Sequence, residues 1–215
     1  MTEKLFIKNP YMKEFEAYVQ KVDGNKVILD RTAFFPMSGG QVGDTGYINK
    51  TRVIDTVYDE DKKTIIHLIS GGPTFAEGDK VEGIIDWDRR YKIMRLHAAS
   101  HIMEYFLFKV FGKLKLIGSH VNEKHDKSTY SLDGKLSEDK LQKVNDLVND
   151  FIMKDYEIKR WEDKERKGWM YWEAGEIKMP CGGTHPYHTK EIGPVIIKRK
   201  SGGKGKEVVI TKLRE

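Results

Sequence analysis

The pattern of apolar and polar positions changes character once, near Asp86. Before it, apolar residues alternate with polar ones in short runs. Residues 14–22 put Phe15, Ala17 and Val19 on one side of a strand, and Asp23-Gly24-Asn25 is a hairpin signal ahead of Lys26-Val27-Ile28-Leu29. Residues 46–48, 52–58, 64–69 and 80–85 read as further strands, parted by the polar turn 59–63 and by Gly71-Gly72-Pro73. Six short strands without a helix predict a small antiparallel β-barrel domain over residues 1–86.

Beyond Asp86 the apolar spacing turns helical. Asp86 or Asp88 can cap a helix running to about Phe111, with Gly112 as its stop. Its inward stripe is Met94, His97, Ala98, His101, Tyr105 and Phe108. Residues 114–121 and 128–132 read as paired strands. Ser137 caps a second helix, with Glu138 and Asp139 in its first turn and Leu141, Val144, Leu147, Val148, Phe151 and Ile152 on its core face. Strands follow at 157–161, 195–200 and 207–213, the last two joined by the glycine- and lysine-rich tip 201–206. Helices and antiparallel strands in this order predict an α+β chain, the second domain being a two-layer α/β sandwich over residues 87–215.

Among 215 residues, 39% are hydrophobic and 33% charged, so a real core is affordable beneath a densely charged surface. The 33 acids nearly offset the 38 bases, leaving a net charge of +5. That excludes a simple polycation but permits a local patch for phosphates. A single cysteine excludes an intrachain disulfide. No stretch nears 18 apolar residues and the first fifteen lack a signal-peptide run, so a soluble cytoplasmic protein without a membrane partner is expected. No obligate protein partner is evident.

The candidate chemistry lies in two short runs, His97-Ala98-Ala99-Ser100-His101 and Cys181-Gly182-Gly183-Thr184-His185. Positions i and i+4 share a helix face, so His97 and His101 can grip one ion. The second run, after Pro180, reads as a loop bringing Cys181 and His185 to the same ion. A lone histidine on an apolar face is ordinarily a satisfied core residue, and a lone cysteine a small hydrophobe. Two such pairs argue instead for a metal site, and three imidazoles with one thiolate suit zinc. Four protein ligands are usual for structural zinc, whereas a hydrolase needs an open position; the spacing leaves both readings standing. No His-Glu-x-x-His base is present, since Ala98 stands where that motif has glutamate. Of the remaining histidines, His67 reads as packing and His120 as a candidate pocket lining.

The segment 34–46 is too long and glycine-rich for a hairpin turn. It is either a loop of positive-φ turns or a place where Gly39, Gly40 and the Gln41 amide approach a ligand. Basic clusters at Lys198-Arg199-Lys200 with Lys204 and Lys206, and from Lys159 to Trp172, are solvated faces or phosphate contacts. The glycine-bearing tip is the better candidate for RNA.

The order Phe-Phe-Pro-x-Ser-Gly-Gly-Gln-Val-Gly-Asp-x-Gly, His-x3-His and Cys-Gly-Gly-Thr-His resembles the editing domain of alanyl-tRNA synthetase. It resembles still more the free-standing AlaX trans-editing proteins, in their medium-sized form, over residues 13–213. The resemblance implies a small barrel beside an α/β sandwich. It implies hydrolysis of the ester on the acceptor end of tRNA(Ala) carrying serine, or glycine. By resemblance the zinc ligands are His97, His101, Cys181 and His185. Gln41 faces the pocket from the first domain, and Thr32 reads the serine hydroxyl. The synthetase versions carry arginines after the last glycine turn, where this chain has Lys206-Glu207. Threonyl-type editing domains share the histidine and cysteine spacing but not the Gly-Gly-Gln or Cys-Gly-Gly-Thr-His wording. A non-catalytic zinc-stabilised RNA-binding module and a small-molecule zinc esterase are the other readings.

Overall fold

The computed structural model describes residues 2–214. The chain divides into two compact units, Met1–Ser38 with Val42–Arg90, and Gly39–Gln41 with Tyr91–Glu215.

The first unit opens with β1 (Glu3–Lys4) and the one-turn helix α1 (Leu5–Lys8), then β2 (Glu14–Asp23), β3 (Lys26–Leu29), β4 (Arg31–Thr32), β5 (Gly46–Ile48), β6 (Thr51–Tyr58), β7 (Ile65–Ile69) and β8 (Lys80–Ile85). Six of these close into a barrel in the order β2-β3-β7-β6-β5-β8, the six strands expected from alternation. Along β2 the inward positions Phe15, Ala17 and Val19 are buried and join Val27, Leu29, Phe34, Ile48 and Val81 in the barrel core. Register shifts at Val19/Lys21 and Val53/Asp55 supply the local bends that closure demands. The parallel pair β1–β4 and helix α1 escape a reading of periodicity, because two to four residues carry none. Phe6 of α1 meets Phe35 edge-on, with ring centroids 5.3 Å apart.

The glycine-rich segment does more than turn. Asp44 within it is fully buried and accepts the Phe35 N–H at 2.5 Å. Its carboxylate pairs with the buried guanidinium of Arg90, which also donates to the carbonyls of Ala33 at 2.6 Å and Pro10 at 3.2 Å. A side chain at Gly43 would run into the Thr56 carbonyl, so this glycine is set by close strand approach. Thr32 and His67 form a second buried polar pair: Thr32 Oγ1 lies 2.8 Å from His67 Nε2, and His67 Nδ1 lies 3.0 Å from the Val27 carbonyl. Asp86, expected as a helix cap, turns its carboxylate to Arg52 at 2.6 Å and to Thr45.

The long helix α2 (Trp87–Phe111) starts in the last residues of the first unit and carries the chain into the second. There β9 (Lys115–Val121), β10 (Asp126–Ser131), β14 (Val195–Ser201) and β15 (Lys206–Leu213) form an antiparallel sheet in the order β14-β15-β10-β9. Helix α3 (Glu138–Met153) is amphipathic and begins at Ser137, whose hydroxyl accepts the Lys140 N–H. A second sheet, β11-β12-β13, comprises β11 (Ile158–Glu162), β12 (Met170–Ala174) and β13 (Ile177–Pro180), and a 3-10 turn spans Thr189–Ile192.

One core takes Val209 and Ile197 from the first sheet, Trp172 and Ala174 from the second, and side chains of both helices. Helix α2 is therefore enclosed rather than laid on one face. Ile93, Leu96, Ala99, Ile102 and Met103 are fully buried in addition to Met94 and Ala98, so the single stripe expected from sequence is too narrow. Along α3, Asn145 and Asn149 reach the edge strand β14: Asn145 accepts the Ile197 N–H, and Asn149 pairs with the Val195 backbone at 2.9 and 3.1 Å. Among the described residues no helix is long and apolar enough to cross a membrane.

Candidate metal centre

His97 and His101 leave one face of α2 a turn apart, and the loop after β13 returns Cys181 and His185 to them. One ligand atom from each of the four lies within 4.8 Å of the others. Cys181 Sγ stands 3.6 Å from His97 Nε2 and 3.5 Å from His185 Nε2. A tetrahedral ion bonded at about 2.0 Å to nitrogen and 2.3 Å to sulfur separates such atoms by about 3.5 Å. His101 Nε2 is buried without a hydrogen-bond partner, as a nitrogen reserved for a cation is. The donor set and its spacing fit a small four-coordinate metal ion.

The electrostatics agree. Burial pushes the His101 imidazole down to about 4. Burial, reinforced by neighbouring imidazoles and the charge of Arg160 in β11, holds His97 and His185 well below the usual range. All three present neutral lone pairs at pH 7. Burial pushes the Cys181 thiol up to about 11, while the Gly183 N–H at 3.4 Å and Arg160 favour its thiolate. A cation arriving there displaces that proton, so occupancy rises with pH.

Outside these four side chains, Gln41 is the central contact. Its Oε1 accepts from His97 Nδ1 at 2.8 Å and from the Thr184 N–H at 3.0 Å, and its Nε2 donates to Thr184 Oγ1 at 2.8 Å. With Nδ1 carrying the proton, His97 turns its Nε2 lone pair to the cluster. Gln41 itself is fully buried and belongs to the second unit, not to the barrel unit expected from its place in the chain. It is fastened by a parallel bridge to Val121, whose N–H donates to the Gly40 carbonyl at 2.8 Å. Gly40, at φ +88°, lies so close to Ser119 that a side chain there would collide. Gly183 is equally confined, a Cβ falling against the His97 ring and 2.7 Å from Gln41 Oε1. Trp172 closes the far side, its ring 5.1 Å from His101 and 6.0 Å from His185.

The structure thus gathers His97, His101, Cys181, His185 and Gln41, with Gly40 supporting them. Thr32 lies fully buried in the barrel unit, its hydroxyl engaged by His67. Gly39 is exposed, as are Lys198 on β14, Lys206 on β15 and Lys204 in their connection. His120 is exposed on β9, with Asn122 Nδ2 at 3.3 Å. Thr184, Trp172 and Arg160 are contributors that sequence reasoning missed. Thr184 left a trace by lying inside the second Cys/His run, and Arg160 and Trp172 by lying in the basic and aromatic segment 159–172.

A family model described as class II (A) tRNA synthetases matches residues 2–89. Alanyl-tRNA editing protein AlaX-M of Pyrococcus horikoshii is 36% identical across 96% of this chain and 95% of its own. The protein of that name from Saccharolobus solfataricus is 34% identical across 97% of this chain and 98% of its own. Alanine–tRNA ligase of Pyrococcus abyssi is 33% identical across 92% of this chain, which corresponds to 24% of the ligase. At such identity over nearly the full length of both chains, this chain belongs to the AlaX-M family of alanyl-tRNA editing proteins.

Proposed function

We propose that this chain is a trans-editing deacylase for alanine-specific tRNA, hydrolysing the ester that joins a wrong amino acid, chiefly serine and also glycine, to the terminal adenosine. The observation that carries the reading is the convergence of His97, His101, Cys181 and His185, within 4.8 Å, in a chain so similar to proteins named for alanyl-tRNA editing. Zinc is the ion proposed, because mixed imidazole and thiolate donors suit it. When bound, it supplies Lewis acidity toward a carbonyl or a water.

The protein's own part is to hold and orient. An aminoacyl ester is already reactive, so positioning of substrate and water contributes much of the rate. Gln41 acts through His97 as a positioning residue, fixing its tautomer, while Thr184 locks Gln41. Trp172 and the buried core shut water out on one side. Thr32 is proposed, on the family resemblance, as the reader of serine. The Val27 carbonyl takes the His67 Nδ1 proton, so the Thr32 hydroxyl donates to Nε2; it also accepts the Phe34 N–H at 3.1 Å and keeps one lone pair. A serine hydroxyl can donate to that remaining lone pair and alanine cannot, a difference of one hydrogen bond worth about 0.5–1.5 kcal/mol.

Deacylation of seryl-, glycyl- and alanyl-tRNA(Ala), with and without a chelator, tests the reading. Serine should be released fastest and alanine retained, with loss on chelation and recovery on adding zinc. Full activity in metal-free protein would overturn it. The complete four-ligand set also favours a second reading, a non-catalytic RNA-binding module tied together by its metal. Such a module would protect the ester in the same assay.

A further inference from the structure

The four-stranded sheet sorts its charges by side. Residues directly opposed in an antiparallel pair share a face. Register places Lys198 opposite Ile210, Lys200 opposite Val208, Lys212 opposite Ile196, and Lys127 opposite Ile210 from the other side. Lys206 and Lys115 both oppose Ser131 and so join them. All six lysines are exposed, and the face between them is floored by Val208 and Ile210. The two acidic residues of these strands, Asp126 and Glu207, are buried on the opposite side with the core, Glu207 paired to Arg199 at 2.5 Å. Among the described residues, the solvent face of this sheet therefore carries six lysines and no carboxylate. At the margin of the same face a cleft of about 510 Å³ adds Lys92, Lys124 and Arg214 to Lys212, with Glu123 as its acid.

In a chain whose acids nearly balance its bases, a face of six lysines without a carboxylate departs from the average composition. We propose that the solvent face of the β14-β15-β10-β9 sheet is the tRNA-docking surface, holding acceptor-arm phosphates; this rests on the tRNA reading above. Three observations favour an RNA backbone as occupant. The face is cationic without opposing acid, so it attracts a polyanion and repels a basic partner. It lacks Phe, Tyr and Trp at its outward positions, so it grips charge rather than stacking bases. It also borders the metal centre: His120 faces outward opposite Lys127, while the next residue, Val121, is bridged to Gln41, which bonds His97. A strand of RNA crossing β9 at Gly118, where no atom crowds the missing side chain, passes from lysines to the Gln41 end of the site.

The test is binding of an uncharged tRNA(Ala) transcript to the full chain as a function of salt. The double variant Lys127→Glu with Lys212→Glu is compared with Lys143→Glu with Lys154→Glu, which makes the same net charge change at exposed positions of α3 and its end. Melting curves establish that both pairs are folded. The sheet pair should bind at least about tenfold more weakly, with a log–log salt slope flatter by about two. The α3 pair should stay within about threefold of the parent. Equal losses in the two pairs, or an unchanged slope in the sheet pair, would overturn the proposal. Because the tRNA is uncharged, its binding is scored apart from hydrolysis. A parent that binds through this face yet cleaves no ester refutes the deacylase reading alone.

Discussion

Gln41 Oε1 accepts two hydrogen bonds at once, from the His97 ring at 2.8 Å and from the Thr184 backbone at 3.0 Å. One buried amide thereby ties His97 on α2 to the loop that carries Cys181 and His185. Partners of this kind fix the ligand's tautomer, and their loss typically weakens metal binding about 10–100-fold. Gln41→Ala should show that loss in chelator competition while Cys181 and the three histidines remain. An affinity equal to the parent's would remove Gln41 from the proposed machinery.

The two glycines of Cys-Gly-Gly-Thr-His should respond differently. Gly182 has open space around it, whereas a methyl at Gly183 strikes His97 and Gln41. Gly183→Ala is expected to cost at least tenfold in metal affinity, by displacing the His97 ring from the four-residue cluster. Gly182→Ala should bind metal like the parent. Zinc titration of both variants decides it; a reversed order would contradict the described loop.

His67 makes stability sensitive to acid. Burial pushes its pKa from 6.5 down to about 4. Between those values the unfolded chain binds a proton that the folded chain does not, so stability is complete above pH 6.5 and declines as pH falls toward 4. The loss at this one group is about 3 kcal/mol. Urea unfolding at pH 7.5 and pH 4.5, on the parent and on His67→Gln, should show the variant losing less on acidification. Identical losses would mean that His67 is not the titrating group.

The buried Arg90–Asp44 pair is unforgiving of a single change. Removing Arg90 strands the Asp44 carboxylate, at 0% exposure, with one positive partner gone. Arg90→Ala is expected to destabilise by about 3–5 kcal/mol. A change below 1 kcal/mol in chemical denaturation would show that the site relaxes to admit water.

Local chemistry made much of this legible. Phe15, Ala17 and Val19 announce a half-buried strand by alternation alone, and the barrel follows from six such runs. The i, i+4 histidines announce neighbouring rings because helix geometry sets them on one face, a turn apart. What stayed hidden depends on contacts distant in sequence. Nothing near Gln41 says that it pairs with Thr184, 143 positions away. Trp172 reads as one aromatic among several until β12 sets it against His101. The breadth of burial along α2 was missed for the same reason: a stripe presumes one covered side, and this helix is enclosed within a shared core.

The two margins of the four-stranded sheet have unlike fates. On β14 the free backbone groups are met by the asparagine side chains of α3. On β9 six of seven residues are exposed, Leu116 and Ile117 among them; outside Val121, whose N–H goes to the Gly40 carbonyl, this edge can accept a foreign strand. Three local devices blunt that invitation: the irregularity opposite Thr129 and Tyr130, the charge of Lys115, and the flexibility of Gly118. Swapping Lys115 and Gly118 for valines would straighten and neutralise the margin. Aggregation during purification would then become the chief hazard for this chain.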